Sequence, residues 1–262
     1  MKETKNILIF IILFSIIVSQ CADNELNRSD SCSELANYIL TTDCKTEGQN
    51  PEIQFGYRGI EIDRIKIVNF PCDTFDFNLE KFSHLTSFSI EGENVQYFIP
   101  HPQKGILRVE FRHTSLFPNL PDLKDYDDLL MFSYLFNFSK EWGNYDTCFI
   151  NSLPIGITNI DISNCSFNYI VIDSLYKSIT DLDLSYLNLK SLDASIYNLK
   201  SIQFLNLMGN DSLKKVDIKL FPSLKMIKLP EGYLMGKEDS NYLISKNIIC
   251  NLISDSCYEN NK

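Results

Sequence analysis

The chain has 262 residues, 44% of them hydrophobic, enough to bury a sizeable core. Its net charge of −10 argues against nucleic acid as a partner, because a phosphate backbone calls for a positive surface.

The N-terminus has the layout of a secretory signal peptide. Lys2 and Lys5 precede an apolar run from Ile7 to Val18, and "SQCA" then offers small residues at Ser19 and Cys21. The run is shorter than the roughly 20 residues a spanning helix needs. Residues 1–21 are therefore predicted to be removed, with a retained signal anchor as the alternative. No second run of spanning length follows, and the polar end "SCYENNK" offers no tail for a lipid anchor to replace. The mature chain is expected to be secreted, extracellular or within a secretory lumen, with no membrane span.

Residues 22–52 read as an N-terminal cap. In "SCSELANYILTTDCK" a Ser precedes Glu34, and Leu35, Tyr38 and Ile39 form a helical stripe. Cys32 and Cys44 bracket it.

From Ile62 onward one pattern recurs: an apolar residue, a second three positions later and a third two beyond that. Eight segments carry it, namely Ile62/Ile65/Ile67, Leu85/Phe88/Ile90, Ile106/Val109/Phe111, Leu129/Phe132/Tyr134, Ile157/Ile160/Ile162, Ile179/Leu182/Leu184, Ile202/Leu205/Leu207 and Leu224/Ile227/Leu229. Successive starts lie 21 to 28 residues apart. The best copies are "ITNIDISNCSF", "ITDLDLSYLNL" and "IQFLNLMGNDSL". They resemble the leucine-rich repeat family and its L-x-x-L-x-L-x-x-N/C-x-L pattern. The resemblance covers roughly residues 53–235 and weakens in the first half, where Phe and Ile replace Leu. At position 9 of each repeat only Asn137, Cys165 and Asn210 match the family's residue.

The spacing has a physical reading. Positions 4 and 6 flank one outward residue, as a strand's period of two requires, while positions 1 and 9 point inward from the turns at its ends. Each coil offers one apolar wedge of about 5–9 kcal/mol, an upper bound before ordering entropy is subtracted. Only stacked coils are stable. The predicted fold is an α/β solenoid, a leucine-rich repeat horseshoe of about eight repeats, with parallel strands on the concave face and helical or irregular caps. Phe82, Ile196, Leu199 and Phe221 are expected to fill its convex side. The long interval from Leu129 to Ile157 holds Trp142 and predicts either an emergent loop or a longer convex turn.

Residues 236–262 read as the C-terminal cap, with a helical stripe at Leu243, Ile248, Ile249, Leu252 and Ile253 and with Cys250 and Cys257 beside it. Paired cysteines in secreted caps predict the disulfides Cys32–Cys44 and Cys250–Cys257, an arrangement the resemblance also implies. Cys72 has Cys44 or Cys32 as an alternative partner. It is some 20 Å from Cys165 at about 4.8 Å per coil, too far for a bond.

No catalytic motif is present: no G-x-S-x-G, no H-E-x-x-H, no P-loop and no dinucleotide fingerprint. Without C-x-x-C pairs, and with His84, His101 and His113 scattered, zinc has no ligand set. No cofactor, no metal and no enzymatic activity are predicted. The outward residues of successive strands make one extended surface. Arg64, Lys66, Arg108, Arg112 and His113 give it a basic start, Met131, Ser133, Leu135 and Phe136 a greasy middle, and Asn159, Asp161, Asn164, Asp181, Asp183 and Tyr186 an acidic stretch. Such a strip suits a protein or peptide partner, with a glycan as a further option. The function expected is a secreted recognition module. The alternatives are a passive matrix, wall or coat component, or an inhibitor of a secreted hydrolase, or itself such a hydrolase. Four N-x-S/T sites occur. Asn27 and Asn164 are the expected glycosylation sites, while Asn137 and Asn210 fall on the inward position and are expected to be empty.

Overall fold

The computed structural model describes residues 33–35, 38, 51–58, 61–116, 120–135 and 145–252. The leader at 1–21 lies outside them, as do Asn27, Cys32, Ile39, Cys44, Phe136, Asn137, Trp142, Ile253 and Cys257. The described strands in chain order are β1 (Glu52–Arg58), β2 (Glu61–Val68), β3 (Thr74–Phe75), β4 (Ser87–Glu91), β5 (Tyr97–Phe98), β6 (Arg108–Arg112) and β7 (Met131–Leu135). They continue as β8 (Tyr145–Ile150), β9 (Asn159–Ser163), β10 (Phe167–Ile172), β11 (Asp181–Asp183), β12 (Phe204–Asn206), β13 (Met226–Lys228) and β14 (Ile249–Cys250). Among the described residues the α-helices α1 (Ala194–Tyr197) and α2 (Lys237–Ser245) interrupt them.

One ten-stranded sheet runs the length of the fold in the order β1-β2-β4-β6-β7-β9-β11-β12-β13-β14. All its pairings from β2 onward are parallel, each strand meeting its equivalent one coil later. This is a solenoid of about eight coils with parallel strands, and its register is the one the spacing predicts. Position 4 of each repeat pairs with position 4 of the next, from Ile65 to Phe88, Val109, Phe132, Ile160, Leu182, Leu205 and Ile227. All three apolar positions of all eight segments are buried. The expected convex residues Phe82, Ile196, Leu199 and Phe221 are buried too.

The turns after β2, β6, β9, β11 and β12 share a conformational signature. Asn69, His113, Asn164, Tyr186 and Gly209 all stand at position 8 of their repeats, and all take positive φ, between 51° and 68°. A left-handed residue there reverses the chain and drops position 9 into the core. Asn210 at position 9 is fully buried. Its amide accepts from the backbone N–H groups of Leu187 (3.2 Å) and Leu189 (2.9 Å), and donates to the carbonyls of Leu184 (2.8 Å) and Leu207 (2.9 Å). Buried tyrosines serve adjacent coils in the same way. Tyr134 Oη donates to the Thr114 carbonyl (2.8 Å), and Tyr176 Oη accepts from Leu153 N–H (2.9 Å).

Replacement of Leu by Phe in the first half has a structural counterpart. Ring contacts run Phe70–Phe75, Phe75–Phe98, Phe98–Phe111 and Phe111–Phe132, with centroids 5.1 to 6.2 Å apart. The N-terminal segment joins this stack. Tyr38 contacts Phe70, Phe75 and Phe77, its hydroxyl accepts from Asp76 N–H (2.8 Å), and Glu34 pairs with Lys81.

Three features differ from expectation. First, β1 adds an antiparallel strand to β2, so the solenoid's first edge is closed by a hairpin. Second, the C-terminal stripe is not one helix. Asn247 takes φ 53° just after α2 and ends it, as a left-handed residue beyond a C-cap does. Ile248 and Cys250 are then buried and Ile249 is exposed, the alternation of a strand. Cys250 extends the position-4 row beyond Ile227. The sheet thus runs on into the segment read as a cap. Third, the long interval contains β8, which pairs in parallel with β10 away from the main sheet. Cys148 on β8 is fully buried, and burial pushes its thiol up to about 12.

Cys72 is disulfide-bonded. Cys250 is a buried thiol on β14, and burial raises its pKa. This departs from the expected Cys250–Cys257 bond: as a member of the position-4 row, Cys250 points into the solenoid core rather than out of a terminal helix.

Candidate functional site

The exposed face of the long sheet is built from positions 3, 5 and 7 of each repeat, which alternate with the buried ones. The middle row runs Lys66, Ser89, Glu110, Ser133, Asp161, Asp183, Asn206 and Lys228, each the register partner of the next. Beside it the position-3 row runs Arg64, Ser87, Arg108, Met131, Asn159, Asp181, Phe204, Met226 and Ile249. Arg64, Lys66, Arg108, Met131, Asp161, Asp181 and Asp183 thus lie on two adjacent rows, with Arg112 on β6 at position 7. His113, Asn164 and Tyr186 occupy the left-handed turns just past the strands. Phe136 lies outside the described residues.

The basic start of the strip is neutralised within the fold. Arg108 (3.0 Å) and Arg112 both pair with Glu110, which is buried between them. Lys66 reaches Glu91 (3.3 Å), and Arg64 reaches Asp63 (3.4 Å). The sequence places these cations on one face, and Glu110 and Glu91 sit at positions 5 and 7 of their own repeats, where a same-face search for acids finds them.

The acidic stretch is organised differently. Asp183 is held on both oxygens: Ser185 donates from N–H (3.0 Å) and Oγ (2.6 Å) to Oδ1, and Asn206 donates to Oδ2 (2.7 Å). Asp161 is not fully satisfied. Its Oδ1 is covered and has no partner, although Ser163 hydrogen-bonds the carboxylate. Desolvation, then repulsion from Asp183, pushes its carboxyl up to about 6; Glu110 adds to the rise, while Ser163 and Arg108 oppose it. Two hydroxyls of the same row, Ser89 Oγ and Ser133 Oγ, are also covered and without a partner. Covered polar atoms are ordinarily bonded, so three on one row of one face are unusual.

An apolar end completes the face: Phe204, Met226 and Ile249 follow one another in register. Lys228 Nζ stands 5.8 Å over the Phe204 ring. The sequence reading stopped at the sixth repeat and missed this end, although the same position-3 rule applied to the seventh and eighth finds Phe204 and Met226. Ile249 could not be found that way, because its segment read as helix.

Elsewhere, a cleft of about 440 Å³ lies between coils, lined by residues including Lys124, Asp127, Pro154, Ile155, Leu175 and Tyr176. His84 and His101 pair with Glu61 and Asp76 (both 2.6 Å). Among the described residues no group of three or more His, Cys, Asp or Glu is placed to hold a metal ion. No helix among them is long and apolar enough to cross a membrane.

No family model and no curated protein matches the chain. Among solved structures, the leucine-rich repeat domain of the type III effector XopL is similar to it at 15% identity, with 91% of this chain and 87% of that one covered and a TM-score of 0.35.

Proposed function

We propose that the chain is a secreted recognition module that binds a protein or peptide partner on the exposed face of its long sheet. The observation that carries this reading is the mixed character of that face: the acids Asp161, Asp181 and Asp183 lie in register with the apolar run Phe204, Met226 and Ile249. The apolar end at Phe204 and Met226, beside these acids, gives the mixed surface that partners bury. The leader pattern supports secretion.

The test is a photo-cross-linking amino acid at Asn159 or Phe204, compared with Leu175 on another surface, in the cells that make the protein. A discrete adduct from the two face positions, absent from Leu175 and lost on Asp181→Lys, is the expected result. Equal labelling from all three positions, or none from the face, overturns the proposal.

A further inference from the structure

We infer that two copies of this chain join through the outer edges of β1, paired antiparallel about a twofold axis at Phe55. The contact uses the sheet's first edge and is independent of partner binding on its face.

β1 stands first in the ten-stranded sheet, and among the described residues no strand pairs with its other edge. It is seven residues long, against two for β14 at the opposite end. A long strand edge offers a row of backbone donors and acceptors to another strand. The irregularity between β1 and β2 lies in β2: Gly56 meets Arg64 and Tyr57 meets Ile62, so Asp63 is the extra residue. β1 itself keeps strict alternation. Glu52, Gln54, Gly56 and Arg58 share one face of it, and Ile53, Phe55 and Tyr57 the other.

The order of these residues selects the occupant. Set against its own reverse, "EIQFGYR" places Glu52 opposite Arg58 of the second copy, twice over by symmetry. Ile53 then faces Tyr57, Gln54 faces Gly56, and Phe55 faces its own equivalent. Opposite charges, paired aromatics and an aromatic beside a β-branched residue are the cross-strand pairs that stabilise a sheet. The charges are open to such a match. Glu52 accepts from Gln54 (2.9 Å), and neither it nor Arg58 has a charged partner among the described residues. So are the rings: Tyr57 is 42% exposed, and Phe55, half-buried, meets Phe82 on its own coil side at 6.4 Å between centroids. Charged residues on an edge strand ordinarily ward off pairing. Here acid and base lie equally far on either side of Phe55, so they attract a second copy in this one register. The smallest shift that keeps the faces matched is two residues, and it parts both ion pairs.

Sedimentation velocity on the full chain without its leader tests the pairing, alongside Glu52→Arg and Arg58→Glu, each first shown to melt as the parent does. Expected is a concentration-dependent dimer in the parent. Each single variant sets like charges opposite each other twice and should weaken the dimer at least about tenfold. Mixed in equal amounts, the two variants regain opposite charges at both ends, and a heterodimer of parental affinity should form. Mixing cannot rescue a chain that has merely misfolded. Hydrogen exchange should show alternate amides of β1 gaining protection as the dimer forms. A parent that stays monomeric at its highest soluble concentration, single variants that dimerise as the parent does, a mixture that stays monomeric, or β1 amides no better protected in the dimer overturns the proposal.

Discussion

The ring of Tyr186 occupies the space that a side chain at Gly209 would need. A Cβ at 209 would stand 2.1 Å from Cδ1 and 2.8 Å from Cγ of that ring. Both residues hold the left-handed position 8 of consecutive repeats, with φ 56° and 68°. Gly209→Ala therefore meets backbone strain and a clash with the ring base together. It should cost about 2–4 kcal/mol. In a Tyr186→Ala background the cost should fall to about 1–2 kcal/mol, the strain alone. Urea melts of the four chains of that cycle measure the difference. Equal costs in both backgrounds would show that the ring moves aside freely.

Leu205→Asp should be the most damaging single change in the repeats. Leu205 is fully buried between its register partners Leu182 and Ile227, and no cation lies in that row. An unpaired charge there should cost more than about 4 kcal/mol and block secretion of folded chain. Normal yield of a cooperatively melting variant would count heavily against the register.

Asn210 carries two predictions. Its side chain bonds backbone groups of the preceding coil and of its own turn, so Asn210→Ala should destabilise by at least about 2 kcal/mol. Its N-x-S sequence should also stay unglycosylated, because a fully buried amide cannot carry a sugar. Asn164, half-buried at a left-handed turn, is open to partial occupancy. Asn27, outside the described residues, is expected to be the main site. Enzymatic deglycosylation in heavy-oxygen water, read by mass spectrometry, ranks the sites.

Asp161 should tilt stability against pH. Its folded carboxyl is pushed up to about 6 from its ordinary value of 3.8, so the folded chain binds a proton more tightly than the unfolded one. Between about pH 4 and 6 this group makes stability fall as pH rises. Above pH 6 the full penalty is present. Asp161→Asn should remove that slope and gain about 1–2 kcal/mol at pH 7, after allowance for solvent screening. Melting temperatures of parent and variant at pH 4 and pH 7 test it; an equal gap between them at both values would refute the assignment.

Non-reducing peptide mapping should find Cys72 in a disulfide and Cys148 as a thiol. Cys148 is sealed in the core with its pKa pushed up to about 12, so it should resist alkylation until the chain unfolds. A bond from Cys72 to Cys44 or Cys32, the alternative partners, excludes the Cys32–Cys44 pair. Labelling of Cys148 in the native chain would place β8 outside the core.

The strand register was legible because it depends on a local rule. Steps of three, two and three between apolar residues put Leu182 and Leu205 on the same inward row before any tertiary contact is known, since side-chain direction along a strand alternates with period two. Burial of Asn210 followed in the same way from its place one residue after the turn. The exposed face was legible as a set of positions, and Arg108, Asp161 and Asp183 do share it.

What the sequence could not supply was the state of those residues, because that depends on coils some 22 residues away meeting side by side. Arg108 and Arg112 looked like a basic patch until Glu110 was seen buried between them. Asp161 looked like one acid among several, and only packing against Ser133 and Asp183 leaves one of its oxygens covered and unbonded. The C-terminal stripe fits helix and strand alike over a few residues, and docking of Cys250 beside Ile227 selected the strand. Apolar rhythm alone determined which residues face inward. Neighbouring coils decided which outward groups are paired, desolvated or left open, because charge pairing and burial are properties of the assembled surface rather than of the segment.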